Sequence, residues 1–185
     1  ATYLEAHPDE AVLVRSAELA SLTAQVTDRS MANLVSVALF GDGAAATVAV
    51  GPLHAGAPGR DLAPADAACA PRRRPARVVA TRSVLFPDTE NLMGFELTDG
   101  GLKIFLLPRV PRFLRSELPG RVADFLASEG LALGDVRHFL IHPGGRKVLE
   151  GIQARLRITE AQARLSWRVL RDYGNLSSAT VLYLL

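Results

Sequence analysis

Leu140-Ile141-His142-Pro143-Gly144-Gly145-Arg146-Lys147-Val148-Leu149-Glu150-Gly151-Ile152 is the stretch that decides the fold. Phe139, Leu140 and Ile141 form a short apolar run, the mark of a strand buried on both faces. A proline and two glycines end that run, and Lys147 to Leu156 then has the length and pattern of a helix. In an open α/β sheet, functional groups collect beyond the carboxyl ends of the strands, where this reading puts His142.

The same alternation extends toward the N-terminus. Ala11-Val12-Leu13-Val14 reads as a buried strand, Met31 to Leu39 as a helix, and Ala44 to Val50 as a second buried strand after the turn Phe40-Gly41-Asp42-Gly43. Strand, helix and strand in this order argue for an α/β layered fold. Residues 1–7 look like the last turns of a helix that Pro8 prevents from continuing. Residues 51–76 are punctuated by Gly51, Pro52, Gly56, Pro58, Gly59, Pro64, Pro71 and Pro75, so a Pro/Gly-rich loop or linker is expected between segments 1–50 and 77–185. Beyond it, Arg77 to Leu85 and Leu102 to Leu107 carry strand signals, with Asp99-Gly100-Gly101 between them as a hairpin turn. Pro111 opens a helical region, in which Val122, Phe125 and Leu126 share a face. Thr159 can cap a helix that runs from Glu160 to Arg171. Ser177-Ser178 opens an apolar helix over 179–185. A helix apolar on all sides belongs in a core, so the chain is expected to be a fragment of a longer protein.

Composition narrows the function classes. Of 185 residues, 49% are apolar and 22% charged, which is globular rather than disordered. The formal net charge is +2, and the basic cluster Arg72-Arg73-Arg74 with Arg77 has no aromatic residues interleaved. Nucleic-acid binding would call for a basic face with stacking platforms, so a solvated loop is the expectation. No apolar stretch reaches the roughly 18 uncharged residues of a membrane-spanning helix. Glu5, Asp9 and Glu10 spoil the basic-then-apolar order of a signal peptide, and a cytoplasmic protein is expected. A single cysteine, Cys69, excludes an internal disulfide, and four histidines without ligand spacing point to no metal.

Three motifs sit at element junctions, where side chains can converge: LFGDGAAA (39–46), LIHPGGRKVLEGI (140–152) and YGNLSSATVLYLL (173–185). Singly they are modest. A histidine after a strand is usually structural, FGDG is a tight turn, and Asn175 after Gly174 could end a helix. In this order and at these intervals, the pattern resembles the thiolase-fold condensing enzymes. Within them it resembles the type III polyketide synthases, the chalcone/stilbene synthase-like family. PDTENLMGFEL (87–97) is similar to the bacterial branch.

The resemblance implies a thiolase-like layered α-β-α-β-α fold, of which this chain is mainly the C-terminal half. It implies an acyltransferase that joins malonyl-CoA to an acyl-CoA-derived thioester with loss of CO2, giving a polyketide such as an alkylpyrone or alkylresorcinol. CoA thioesters would be substrates, no separate cofactor or metal would be needed, and the protein would be a homodimer. His142 in HPGG and Asn175 in YGN match the family's catalytic histidine and asparagine. Phe40 matches its gatekeeper phenylalanine. Gly144 and Gly145 would let backbone approach the pantetheine arm, while Met93, Phe95 and Ile104 would shape the product pocket.

The chemistry explains those residue types. Decarboxylation leaves an enolate, and an imidazole N–H with a carboxamide N–H aimed at one oxygen make an oxyanion hole. A nucleophilic cysteine is expected at a helix N-terminus, whereas Cys69 lies in the Pro/Gly-rich loop. The family pattern puts that nucleophile just upstream of Ala1, so these 185 residues alone are expected to be inactive. Two alternatives stand beside this reading. Ketoacyl-carrier-protein synthases of the initiating type share the FGDGA turn but carry HxAN where this chain has HPGG. A truncated remnant acting only in binding is the other.

Overall fold

The computed structural model describes residues 2–57 and 76–185. Cys69 and the arginines at 72–74 lie outside the described residues. Two compact units emerge, one of Ala1–Arg15 with Ala46–Ser83 and one of Ser16–Ala45 with Val84–Leu185.

In the first unit, helix α1 (Thr2–Ala6) ends before Pro8, as expected. Gly51 lies so close to the Pro8 carbonyl that a Cβ there would be 2.2 Å from its oxygen, while the Gly51 N–H bonds Glu10 O at 2.9 Å. Strand β1 (Ala11–Glu18) pairs with β2 (Gly43–Val50), each running on into residues of the second unit, but these are not the buried strands expected: Leu13, Val14 and Val48 are exposed, because a two-stranded sheet leaves a face uncovered.

In the second unit, α2 (Met31–Leu39) begins at Ser30, whose hydroxyl accepts from the Asn33 N–H. The sheet here is an antiparallel hairpin of β3 (Met93–Thr98) and β4 (Gly101–Leu106), turning through Asp99-Gly100 into Gly101 at φ 103°. The hairpin turn is where the sequence put it, but its first arm is not. Arg77 to Leu85 is extended without ladder partners, and Val79 and Leu85 are 80% and 89% exposed. Backbone N–H and C=O groups need a neighbouring strand, and among the described residues none pairs with this segment. The arm that does pair shows strict alternation, Met93, Phe95 and Leu97 against Gly94, Glu96 and Thr98.

Helix α3 (Val110–Ser128) starts with Pro111 in its first turn and continues through Pro119. Helices α4 (Arg146–Leu156) and α5 (Glu160–Tyr173) follow. Ile152, Leu156, Ile158 and Ala163 make the buried cluster between them, with Leu118 and Val122 of α3 and Trp167 of α5 packed on it. The expected strand at 139–141 is instead an extended segment docked on α5. The Phe139 N–H bonds Gln162 O at 3.0 Å and the Ile141 N–H bonds Ser166 Oγ at 2.9 Å, so a helix has taken the donors a strand would use.

The start of α5 is set locally. The Thr159 hydroxyl accepts from the Gln162 N–H, and Gln162 Oε1 accepts from the Thr159 N–H, a reciprocal cap. Thr159→Ala is expected to lower stability by about 1 kcal/mol, measured by urea unfolding. An unchanged midpoint would show that α5 is held by packing alone. The C-terminal apolar segment forms a 3-10 turn (Ser177–Ala179) and α6 (Thr180–Leu184), with Leu184 buried and Val181 exposed.

Candidate active site

His142 stands at the end of the segment docked on α5. Pro143 behind it is fully buried, and the Gly144 N–H folds back onto His142 O at 3.0 Å. Gly145, at φ 142°, then begins α4, its carbonyl accepting from Val148 and Leu149. Glycine is required at 145 by conformation. At 144 nothing requires glycine sterically, since a Cβ would lie at ordinary contact distance, 3.8 Å, from His142 Cδ2 and Nε2. The imidazole thus rests beside the bare backbone of Gly144. His142 keeps solvent contact, yet the atoms packed around it push its pKa below the usual 6.5 by desolvation.

Asn175 is held from three sides. Its N–H donates to Leu39 O at 2.8 Å and its carbonyl accepts from Gly41 N at 3.0 Å, which makes a parallel bridge between Phe40 and Asn175. Its side-chain Oδ1 accepts from the Ser177 N–H at 2.8 Å. With the amide oxygen so engaged, Nδ2 remains as the side chain's donor. The residue is only 4% exposed, so this orientation is fixed by packing as well. Ser177 itself adopts the left-handed region at φ 49°. The next residue, Ser178, gives its N–H and hydroxyl to Glu18 and its hydroxyl also meets Ser16, which ties the turn to β1.

Glycines let these segments touch. A Cβ on Gly41 would be 2.6 Å from Tyr173 O, and one on Gly174 would be 2.6 Å from Leu39 O. Leu39 also approaches the HPGG turn, since a Cβ on Gly145 would be 3.5 Å from Leu39 Cδ2. The ends of α2 and α5 and the start of α4 therefore meet at Leu39, which brings the three motifs into one place. Asp42 is the turn-stabilising acceptor expected of it. It takes the Ser21 N–H at 2.8 Å and the Ser21 hydroxyl at 2.6 Å, and these bonds hold its carboxyl below the usual range.

The three pocket candidates fall on one hairpin face. Phe95 pairs with Ile104 and Met93 with Leu106, and directly opposed residues project to the same side. Ile104 is buried, whereas Met93 and Phe95 are more than half exposed. β4 packs against α2, and the segment leading into α2 is pinned to the hairpin by Gln25 Nε2 on Gly100 O and Leu102 O and by a Lys103–Asp28 pair at 3.0 Å. α2 thus carries the pocket candidates on its flank and Phe40 and the Asn175 bridge at its end.

Sequence reasoning missed Leu39, Ser177, Ser178 and Glu18 as supports of Asn175. A backbone carbonyl leaves no sequence signal, and the Glu18 contact spans 160 residues. The SS pair after Asn175 was the one visible hint.

Residues 77–185 match the family of chalcone and stilbene synthases, C-terminal domain. The chain belongs to the chalcone and stilbene synthase family. It is 43% identical over 183 residues to a 1,3,6,8-tetrahydroxynaphthalene synthase of Streptomyces peucetius subsp. caesius, covering 99% of this chain and 45% of that protein. It is 34% identical over 185 residues to a putative chalcone synthase of Bacillus subtilis, 100% of this chain and 48% of that one. Among solved structures, the 1,3,6,8-tetrahydroxynaphthalene synthase of Streptomyces coelicolor, a bacterial type III polyketide synthase, superposes with a TM-score of 0.82 at 27% identity, covering 100% of this chain and 47% of that one. The chain spans about half the length of the curated relatives it matches. The thiolase-like α/β fold expected from the sequence is that of solved polyketide synthase structures to which the chain is similar.

In this member of the chalcone and stilbene synthases, no helix among the described residues is long and apolar enough to cross a membrane. Desolvation of His142 has a consequence for pH. A histidine whose folded pKa is depressed binds its proton less readily than in the unfolded chain, so its contribution is complete above the ordinary 6.5 and declines as pH falls through the lower folded value. Between 6.5 and that lower value, melting temperature should therefore drop less steeply in His142→Gln than in the parent chain. Parallel curves would show that His142 does not contribute.

Proposed function

We propose that the polypeptide carrying this chain is a type III polyketide synthase. It is an acyltransferase that extends an acyl-CoA-derived thioester with malonyl-CoA. The observation that supports this most directly is the orientation of Asn175, whose Oδ1 is occupied by the Ser177 N–H so that Nδ2 is left as donor. Asparagine cannot ionise, so it donates at any working pH. Desolvation lowers the His142 pKa and so favours the neutral ring, which donates from one nitrogen without carrying charge.

In the proposed reaction, the malonyl thioester loses CO2, and the electron pair of the broken C–C bond becomes an enolate. The His142 and Asn175 N–H groups stabilise its oxygen as the charge forms. The enolate carbon then attacks the carbonyl of the acyl thioester, forming a C–C bond and expelling thiolate. Decarboxylation supplies the carbanion, so the chemistry calls for no redox cofactor or metal. Phe40, bridged to Asn175, fits a gate. Gly144 and Gly145 fit a path for the pantetheine arm, and Met93, Phe95 and Ile104 fit the wall of the product pocket. Homodimerisation and a cytoplasmic location, where CoA thioesters are made, complete the reading.

Radiolabelled malonyl-CoA offered with a panel of acyl-CoA starters should yield a labelled polyketide. Release of CO2 at the uncatalysed rate with every starter would overturn the proposal, and sedimentation of the polypeptide tests the dimer.

A further inference from the structure

Gln25 grips the β3–β4 hairpin at its turn, within the second unit. Its carboxamide nitrogen donates to Gly100 O at 3.2 Å and Leu102 O at 3.3 Å, and only the nitrogen end of an amide can serve two carbonyls. The turn is bare where the carboxamide arrives, since a Cβ on Gly100 would lie 2.8 Å from Gln25 Oε1. A second grip lies close by in sequence, where Asp28 holds Lys103 of β4 at 3.0 Å. Both grips stand on one buried side chain. Asn33, in the first turn of α2 and 6% exposed, gives its amide hydrogens to Gln25 O at 2.8 Å and Asp28 O at 2.6 Å. Its Oδ1 accepts the Gln25 N–H at 3.3 Å. The segment is thus folded around α2, and the hairpin is held from a fixed base.

We propose that Gln25 is a positioning residue that limits the length of the chain the product pocket accepts, by holding in place the hairpin that bears Phe95 and Ile104. The proposal rests on the condensing reading above, with Met93, Phe95 and Ile104 as the pocket wall. A hairpin of two strands is marginally stable by itself, so its attitude is set by what it packs on. Here that is α2, together with the Gln25 carboxamide. Leu102, whose carbonyl is held, pairs with Leu97, and the next pair on the same face is Ile104 with Phe95. The grip therefore acts one step from the wall. At its other end α2 runs into Phe40 and the bridge to Asn175. Wall and carboxamide donor are tied to the same helix, so a growing chain meets the wall at a set depth. Released from Gln25, the wall gives way to a longer chain.

Chain-length preference tests it. The polypeptide that carries this chain is titrated with S-alkyl-CoA thioethers from ethyl to hexadecyl, which bind without reacting, and affinity is read by calorimetry. The parent should show a preferred length, with affinity falling about tenfold per methylene beyond it. Gln25→Met keeps the reach of the side chain and removes the donor. It should carry the optimum to longer chains and reduce the fall to about threefold or less per methylene, while the shortest thioethers bind within a few-fold of the parent. Gln25→Glu, whose carboxylate would face both carbonyls, should shift the optimum the same way. With labelled malonyl-CoA, both variants should give longer products than the parent. Thr159→Ala, which weakens the start of α5 rather than the hairpin, should leave the optimum where it is. The proposal is overturned if Gln25→Met keeps the parent's optimum or weakens every length equally. A shift in Thr159→Ala as well, or a parent with no preferred length, overturns it too. If the parent releases no CO2 from malonyl-CoA, the condensing reading fails, and thioether binding still decides the role of Gln25.

Discussion

Replacing Asn175 by alanine, in the polypeptide that carries this chain, is expected to slow malonyl-CoA condensation by about 10²–10³. The loss comes from one donor. With Oδ1 held by the Ser177 N–H, Nδ2 is the atom available to a developing oxyanion, and alanine removes it. Asn175→Asp is the sharper comparison. It keeps the acceptor for Ser177 and the shape, but replaces the donor by a carboxylate oxygen that would repel an enolate. If the role is donation, Asp should be at least as impaired as Ala despite fitting better. Thermal unfolding separates this from damage to the fold, because Asn175→Ala also leaves the Ser177 N–H without its partner in a buried place, a loss of about 1–3 kcal/mol. Asn175→Asp condensing at the parent rate would sink the assignment.

Gly174→Ala should cost on the order of 3 kcal/mol of stability and remove activity with it. Gly174 sits at φ 75° and ψ −152°, a region that side chains rarely enter. A Cβ there would also be 2.6 Å from the Leu39 carbonyl that accepts the Asn175 N–H. Relief of that clash separates Leu39 from Asn175 and opens the bridge. Gly120→Ala is the control, since nothing lies within 4 Å of a Cβ at that position in α3. There alanine should stabilise by about 0.5–1 kcal/mol through helix propensity. Urea midpoints for the two variants should move in opposite directions, and a Gly174→Ala chain as stable as its parent would refute the steric account.

Much of the helical content could be read from sequence because its signals are local. Ser30 and Thr159 mark their helix starts, Pro111 lies in the first turn of α3, and α2 occupies Met31–Leu39 as expected. Strands were harder, because a strand is completed by a partner that its own residues do not name. Arg77 to Leu85 has strand composition but forms no ladder among the described residues, while Met93–Thr98, which pairs, shows only the alternation. Phe139 to Ile141 has the apolar run of a strand, but Gln162 and Ser166 of α5 receive its N–H groups. For the site, His142, Asn175 and Phe40 could be named because resemblance carried them. Leu39 could not, since what matters there is a carbonyl.

The bridge between Phe40 and Asn175 also bears on the order in which the chain folds. Its two hydrogen bonds join segments 135 residues apart, so they can form only after that long loop has closed. Closure entropy must be met first by contacts elsewhere, such as the α3–α4–α5 cluster, whose members are near in sequence. The carboxamide donor should thus be among the last features to acquire its geometry during folding. Amide exchange at Gly41 and Asn175 should report opening of the whole second unit rather than local fraying.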